Sequence, residues 1–121
     1  MDSDPSLSQF AREVARPDRD IDLTRAALVI ARSEYPDLDV GLYVDKMAAL
    51  ADGAMGGPAT DPLGRLHRVR EYLFEEQGFA GNSDNYFDPR NSYLNDVLDR
   101  RLGIPITLSL VLIEVGRRLG L

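Results

Sequence analysis

Residues 104–119 spell a helix that is apolar on two sides, and such a helix needs neighbours on both. At 100° per residue, Ile104, Leu108, Val111, Leu112, Val115 and Leu119 fill one broad stripe. Ile106, Leu110 and Ile113 make a second stripe on roughly the opposite side. Thr107, Glu114 and Arg118 separate the two along one border, Ser109 and Gly116 along the other. The longest uninterrupted apolar run is only Leu110 to Ile113, far short of a membrane span. The preceding helices are expected to cover the first stripe. A second stripe left uncovered is an exposed apolar patch, the mark of a missing partner or a missing domain.

The rest of the chain supplies helix signals of the same clarity. Asp4-Pro5, Asp22, Asp39 and Asp61-Pro62 each place an N-cap residue ahead of an apolar stripe, twice with proline at the first helical position. Leu7, Phe10, Ala11 and Val14 mark a first helix before Pro17; Leu23, Ala26, Ala27, Ile30 and Ala31 mark a second, which stops near Tyr35 ahead of Pro36. Val40, Tyr43, Val44, Met47, Leu50 and Ala51 mark a third, broken by the glycines from Gly53 onward. Leu63, Leu66, Val69, Leu73 and Phe74 mark a fourth, closed by Gly78. After a loop rich in Gly, Asn and Asp, the spacing predicts a fifth helix capped by Asn91 or Ser92, carrying Leu94, Val97, Leu98 and Leu102 and ended by Gly103. No segment alternates polar with apolar residues, so no strand is predicted. The chain as given reads as all-α, one helical domain of about six helices: N-terminal helices over 1–78, then 79–121.

Composition narrows the function. The 121 residues contain no cysteine and a single histidine, His67, which excludes disulfides, thiolate zinc sites and a cysteine nucleophile, and no metal or cofactor is expected. A formal charge of −6 argues against nucleic acid or anionic membrane as a partner. The N-terminal residues form no secretory signal, so a cytoplasmic location is the default. The glycine-rich segment from Gly53 to Gly64 lacks the Lys-Ser or Lys-Thr pair of a phosphate-binding loop and reads as a linker. Asp18, Asp20 and Asp22 lack the glycine and distal glutamate of a calcium loop. Arg65, Arg68 and Arg70, with Glu71, Glu75 and Glu76 nearby, read as surface ion pairs.

Two blocks carry a family resemblance. The first runs from Asp22-Leu23 through Ala26-Ala27-Leu28-Val29-Ile30-Ala31 to Glu34-Tyr35-Pro36-Asp37-Leu38-Asp39-Val40. The second is Tyr86-Phe87-Asp88-Pro89, Asn91-Ser92-Tyr93-Leu94-Asn95-Asp96-Val97-Leu98 and Leu102-Gly103-Ile104-Pro105-Ile106-Thr107-Leu108-Ser109. Over Asp20–Ala51 and Asn85–Leu121 the chain resembles the SirB-type transglutaminase-like family, whose domain also occurs inside an F-box protein. The resemblance implies the helical part of a transglutaminase-like, cysteine-proteinase-like α+β fold whose sheet is missing here. In active members of that superfamily a cysteine opens the central helix, where the helix N-terminus favours its thiolate, and later strands bring a histidine and an aspartate. Here proline, Pro105, stands where that cysteine belongs.

The candidate cleft or loop-pinning residues are Tyr86, Asp88, Asn91, Tyr93, Asn95, Pro105, Thr107 and Ser109. Asp88, Asn91 and Asn95 are suited to bond nearby backbone, and Tyr86, Phe87 and Tyr93 to pack the loop down. One reading is structural, a pinned loop setting the angle between the last two helices; the other is the rim of a vestigial cleft that binds a protein segment. The expected function is a non-catalytic regulatory or protein-interaction module, incomplete without later strands and with no catalytic residue of its own. Its partner is another protein, or a second copy, at Ile106, Leu110 and Ile113. The alternative is a hydrolase or acyl-transfer enzyme using Ser109 or Thr107, which needs a base from outside the chain because His67 lies on another helix.

Overall fold

Three aspartates set the helix starts in the computed structural model, which describes residues 5–15, 22–57 and 61–121. The expected cap Asp4, the stop Pro17 and the acidic residues Asp18 and Asp20 lie outside the described residues. Helix α1 spans Pro5–Val14, α2 Leu23–Ala31, α3 Val40–Ala54 and α4 Pro62–Glu71. Asp22 accepts the Arg25 amide at 3.1 Å, Asp39 the Leu42 amide at 3.1 Å and Asp61 the Gly64 amide at 3.2 Å. Each carboxylate thereby satisfies a donor that the first helical turn leaves without a partner.

Helix α4 does not run evenly to its end. Its last turn widens into a π turn, Tyr72–Glu76, and Gly78, at φ +77°, lets the Phe79 amide return to the Leu73 carbonyl at 3.1 Å. The extra residue in that turn brings both Leu73 and Phe79 into the core. The exposed members of the predicted stripe are Leu63 and Leu66, at the start of α4.

The prediction of an all-α chain needs correction. Two short strands, β1 (Ala80–Gly81) and β2 (Leu102–Gly103), pair in parallel, with Ala80 opposite Leu102 and Gly81 opposite Gly103. The Ala80 amide to the Arg101 carbonyl, 3.0 Å, and the Asn82 amide to the Gly103 carbonyl, 2.9 Å, extend the ladder. Strands of two residues are too short to show alternation, so periodicity gave no sign of them.

This pairing also moves the boundaries of the fifth helix. Helix α5 is Leu94–Arg100, and Leu102, assigned by spacing to its apolar face, lies in β2. The helix ends on Arg101 in the left-handed region, φ 60°, rather than on Gly103. Gly103 is needed elsewhere: a Cβ there would stand 2.7 Å from Thr107 Oγ1. Nor does Asn91 or Ser92 cap α5. Tyr93 occupies the cap position without a side-chain bond, and Pro89–Ser92 forms a separate 3-10 turn capped by Asp88.

Helix α6, Pro105–Arg118, stops at Gly120, φ +81°, as its spacing predicts. It packs on α2, α3, α4 and α5 around Leu28, Met47, Leu73, Leu94, Val97, Val111 and Val115, all fully buried. Burying a side chain of this size contributes about 1.5–3 kcal/mol. The first stripe of α6 faces this core. On the second, Leu110 is half-buried, while Ile106 is 73% and Ile113 56% exposed. No helix among the described residues is long and apolar enough to cross a membrane.

Candidate functional site

The loop ahead of α5 is organised by one buried amide. Asn91 donates from Nδ2 to the Asn85 carbonyl at 3.0 Å and the Tyr86 carbonyl at 2.9 Å, and its Oδ1 accepts from Asn82 Nδ2 at 3.0 Å. Asn82 in turn accepts the Asn85 amide at 3.1 Å, closing a ring of polar bonds around the buried Asn82 and Asn91 side chains. The Asn91 carbonyl receives the Thr107 hydroxyl at 2.8 Å, and this bond ties the loop to the first turn of α6. Thr107 Oγ1 also accepts the Ile104 amide at 3.1 Å, so it serves as the missing cap of α6 from three residues inside.

Asp88 anchors the other end. Its carboxylate accepts the Arg90 amide at 3.0 Å and grips the Arg90 guanidinium through Nη2 at 2.7 Å and Nε at 3.1 Å, while Arg100 Nη2 stands 3.5 Å away. The Arg90 side-chain bonds, followed by its backbone amide, hold the Asp88 carboxyl down at about 2. Arg90 is shifted upward by the same contact.

The other predicted residues are placed differently. Tyr93 packs edge-on against Tyr35, ring centres 5.8 Å apart, as a loop-packing residue would. Tyr86 and Phe87 do not pack the loop down. They contact each other edge-on and stand 55% and 88% exposed, because the loop bonds through its backbone carbonyls and leaves their rings outside. Asn95 is buried, yet its Oδ1 meets no partner among the described residues, and no bond joins it to the Asn91 ring. Pro105 is exposed at the first position of α6.

Chemistry at this helix start is limited by how its hydroxyls are used. Thr107 is buried with its proton committed to backbone carbonyls. Ser109 is exposed and forms no hydrogen bond with any described residue. His67 sits exposed on α4 beside Arg70, Glu71 and Phe74, with no bond to either hydroxyl. Among the described residues no group of three or more histidines, aspartates or glutamates is arranged to hold a metal ion.

Sequence reasoning missed several participants. Asn82 lies nine residues from the amide it serves, and Arg100, which stands beside Asp88, is not among the candidate residues. Glu114, placed by the wheel on a border of α6, is buried and accepts from the Thr24 amide at 3.1 Å and the Thr24 hydroxyl at 2.9 Å. That bond satisfies a second donor in the first turn of α2, beside the one taken by Asp22. Residues separated by ninety positions leave no local signal.

Comparison with known proteins bears on the same segment. The UPF0162 protein of Xylella fastidiosa is 47% identical over 107 residues, 86% of this chain and 38% of the relative. The UPF0162 protein of Vibrio cholerae is 38% identical over 60 residues, half of this chain and 22% of the relative. Human F-box only protein 21 is 41% identical over 55 residues, 46% of this chain and 9% of that protein. The chain thus spans about two-fifths or less of the length of these relatives. No solved structure matches it. A family model described as transglutaminase-like superfamily matches residues 38–121, from the start of α3 through the pinned loop and all of α6, and the chain belongs to that superfamily.

Proposed function

We propose that the chain is the helical part of a SirB-type transglutaminase-like module that works without catalysis, as a regulatory or protein-binding unit. The start of α6 carries this reading. Where the resemblance places a nucleophilic cysteine there is Pro105, and the nearest buried hydroxyl, Thr107, is spent on capping α6 and latching the loop. A nucleophile needs a base within hydrogen-bond reach, and among the described residues neither Ser109 nor Thr107 has one. The exposed Ile106 and Ile113 on the same helix suit a surface meant to be covered by protein. Asp88, Asn91 and Tyr93 then act as scaffold for the loop ahead of α5, which Thr107 latches to the start of α6, and a cytoplasmic setting suits a chain without cysteine.

A fluorophosphonate probe separates this reading from the enzyme alternative. The expected result is no covalent labelling of the folded chain. Labelling that disappears in Ser109→Ala or Thr107→Val would establish a reactive hydroxyl and end the non-catalytic reading.

A further inference from the structure

A cleft of about 370 Å³ opens between α3, the π turn after α4 and the end of α5, and neither Thr107 nor Ser109 lines it. Its volume falls in the range of small-ligand clefts, about 300–1,000 Å³. Leu50 and the edges of the otherwise buried Phe79 and Leu98 provide its apolar lining, and Lys46, Asp99 and Arg101 its charges.

The charges are not equally engaged. Each oxygen of Asp99 already has a donor: Lys46 Nζ reaches Oδ1 at 2.7 Å and the Tyr43 hydroxyl donates to Oδ2 at 2.6 Å. Arg101 is held but not used up. Its Nη1 donates to both the Gln77 carbonyl and Gln77 Oε1 at 2.7 Å, and its guanidinium lies 5.7 Å from the Phe79 ring centre. Its Nη2 and Nε make no hydrogen bond with any described residue. A guanidinium fixed at one nitrogen, with the rest of its fork open, is arranged to receive a carboxylate on two bonds. Two cations against one anion leave the cleft positive within a chain of formal charge −6.

The backbone points the same way. Among the described residues Arg101 is the only non-glycine residue in the left-handed region. That conformation costs a side-chain-bearing residue about 1–2 kcal/mol, which glycine would avoid. Capping the Gln77 carbonyl explains one end of the guanidinium and leaves the open end without a use.

We propose that this cleft binds a single carboxylate carried on a large apolar body, with the carboxylate on Arg101 Nη2 and Nε and the apolar part against Leu50, Phe79 and Leu98. Both a free aromatic acid and the C-terminal residue of a peptide present this chemistry. The test follows amide and arginine side-chain NMR signals of the whole chain during titration with N-acetylphenylalanine, its C-terminal amide, and a tripeptide ending in phenylalanine with a free carboxylate. The acids are expected to shift signals of Leu50, Phe79 and Arg101, and the amide to bind about 10–100-fold more weakly, the worth of charge-assisted hydrogen bonds. Tighter binding of the tripeptide identifies a protein C-terminus as the source; equal binding identifies a small acid. Arg101→Gln, which keeps a donor for Gln77, should erase the preference for acid over amide. Lys46→Gln, whose loss leaves Asp99 as a competing anion, should weaken the acids several-fold and serves as the variant if Arg101→Gln does not fold. Equal binding of acid and amide to the unaltered chain, no binding of either, or an acid preference that survives in folded Arg101→Gln overturns the proposal.

Discussion

At the scale of single residues, Asn91 is the side chain on which the loop depends. Truncating it to alanine strands the Asn85 and Tyr86 carbonyls and the Asn82 amide at once. Each buried polar group left unpaired costs about 1–3 kcal/mol, and some of the three will find water, so Asn91→Ala should lower stability by about 2–4 kcal/mol in urea unfolding. Asn91→Asp, which keeps an oxygen for the Asn82 amide but sets an acceptor against the Asn85 and Tyr86 carbonyls, should also destabilise. Recovery of wild-type stability by either variant would show that the amide is not what holds the loop. Asp88 makes a separate prediction. Its folded value near 2 lies below the ordinary 3.8, so its grip on Arg90 is complete above about pH 4 and fades as pH falls toward 2. The unfolding free energy of the wild type should fall across that window, and the slope should be shallower in Asp88→Asn, which retains an oxygen for the Arg90 amide. Identical slopes would remove Asp88 from the acid response. Asp88 and Asn91 were legible because part of their bonding is local, to residues two to six positions away, whereas their partners Asn82, Arg100 and Thr107 stand farther along the chain. Asn95 belongs to the same stretch and shares its composition, yet it takes no part in the ring; residue type announces hydrogen-bonding capacity, and only packing decides where it is used.

At the scale of elements, α5 is fastened on one side by two tyrosines. Tyr35, after α2, donates to Asp96 at 2.6 Å, and Tyr43 of α3 donates to Asp99 at 2.6 Å. Each phenol is raised to about 12, chiefly by the bond to its aspartate. A raised value means that the folded chain holds these protons more tightly than the unfolded chain. Their contribution is therefore complete below about pH 10 and is lost as pH climbs through 12. Phenolate absorbance of the folded chain should show Tyr35 and Tyr43 ionising late, with Asp96→Asn and Asp99→Asn each bringing one of them down. A single step near pH 10 for all five tyrosines would contradict both bonds. The helices themselves were largely readable from sequence, since a cap such as Asp22, Asp39 or Asp61 acts on an amide three residues away. What sequence hid was made by elements meeting. The left-handed residue is Arg101 and not the available Gly103, because β2 brings Gly103 under Thr107 and leaves no space for a Cβ. The wheel set Glu114 on a border by its angle alone; the N-terminus of α2, arriving against it, turned that border into buried contact.

At the scale of the whole molecule, the two stripes of α6 have met different fates. Val111 and Val115 are buried in the common core, whereas Ile106 and Ile113, two turns apart on the other side, face solvent. Leu110 between them leans into the core, so the uncovered surface is narrower than the sequence pattern predicts. An isolated exposed isoleucine is ordinary; two at heptad spacing, on a helix whose opposite side anchors the fold, make a strip that a protein partner or a second copy can cover. Because neither side chain supports the core, Ile106→Asp with Ile113→Asp should leave unfolding within about 0.5 kcal/mol of wild type, as for other surface changes. The same double variant should bind less of an apolar fluorescent dye and should lose any self-association that the wild type shows in sedimentation equilibrium. Two results would count against a docking strip: a large loss of stability, which would mean the isoleucines are part of the core, or undiminished dye binding, which would place the sticky surface elsewhere, with the exposed Tyr86 and Phe87 as the next candidates. Stability and dye binding thus separate a helix that has finished packing from one still presenting a face, and only the second fits the proposed protein-binding role.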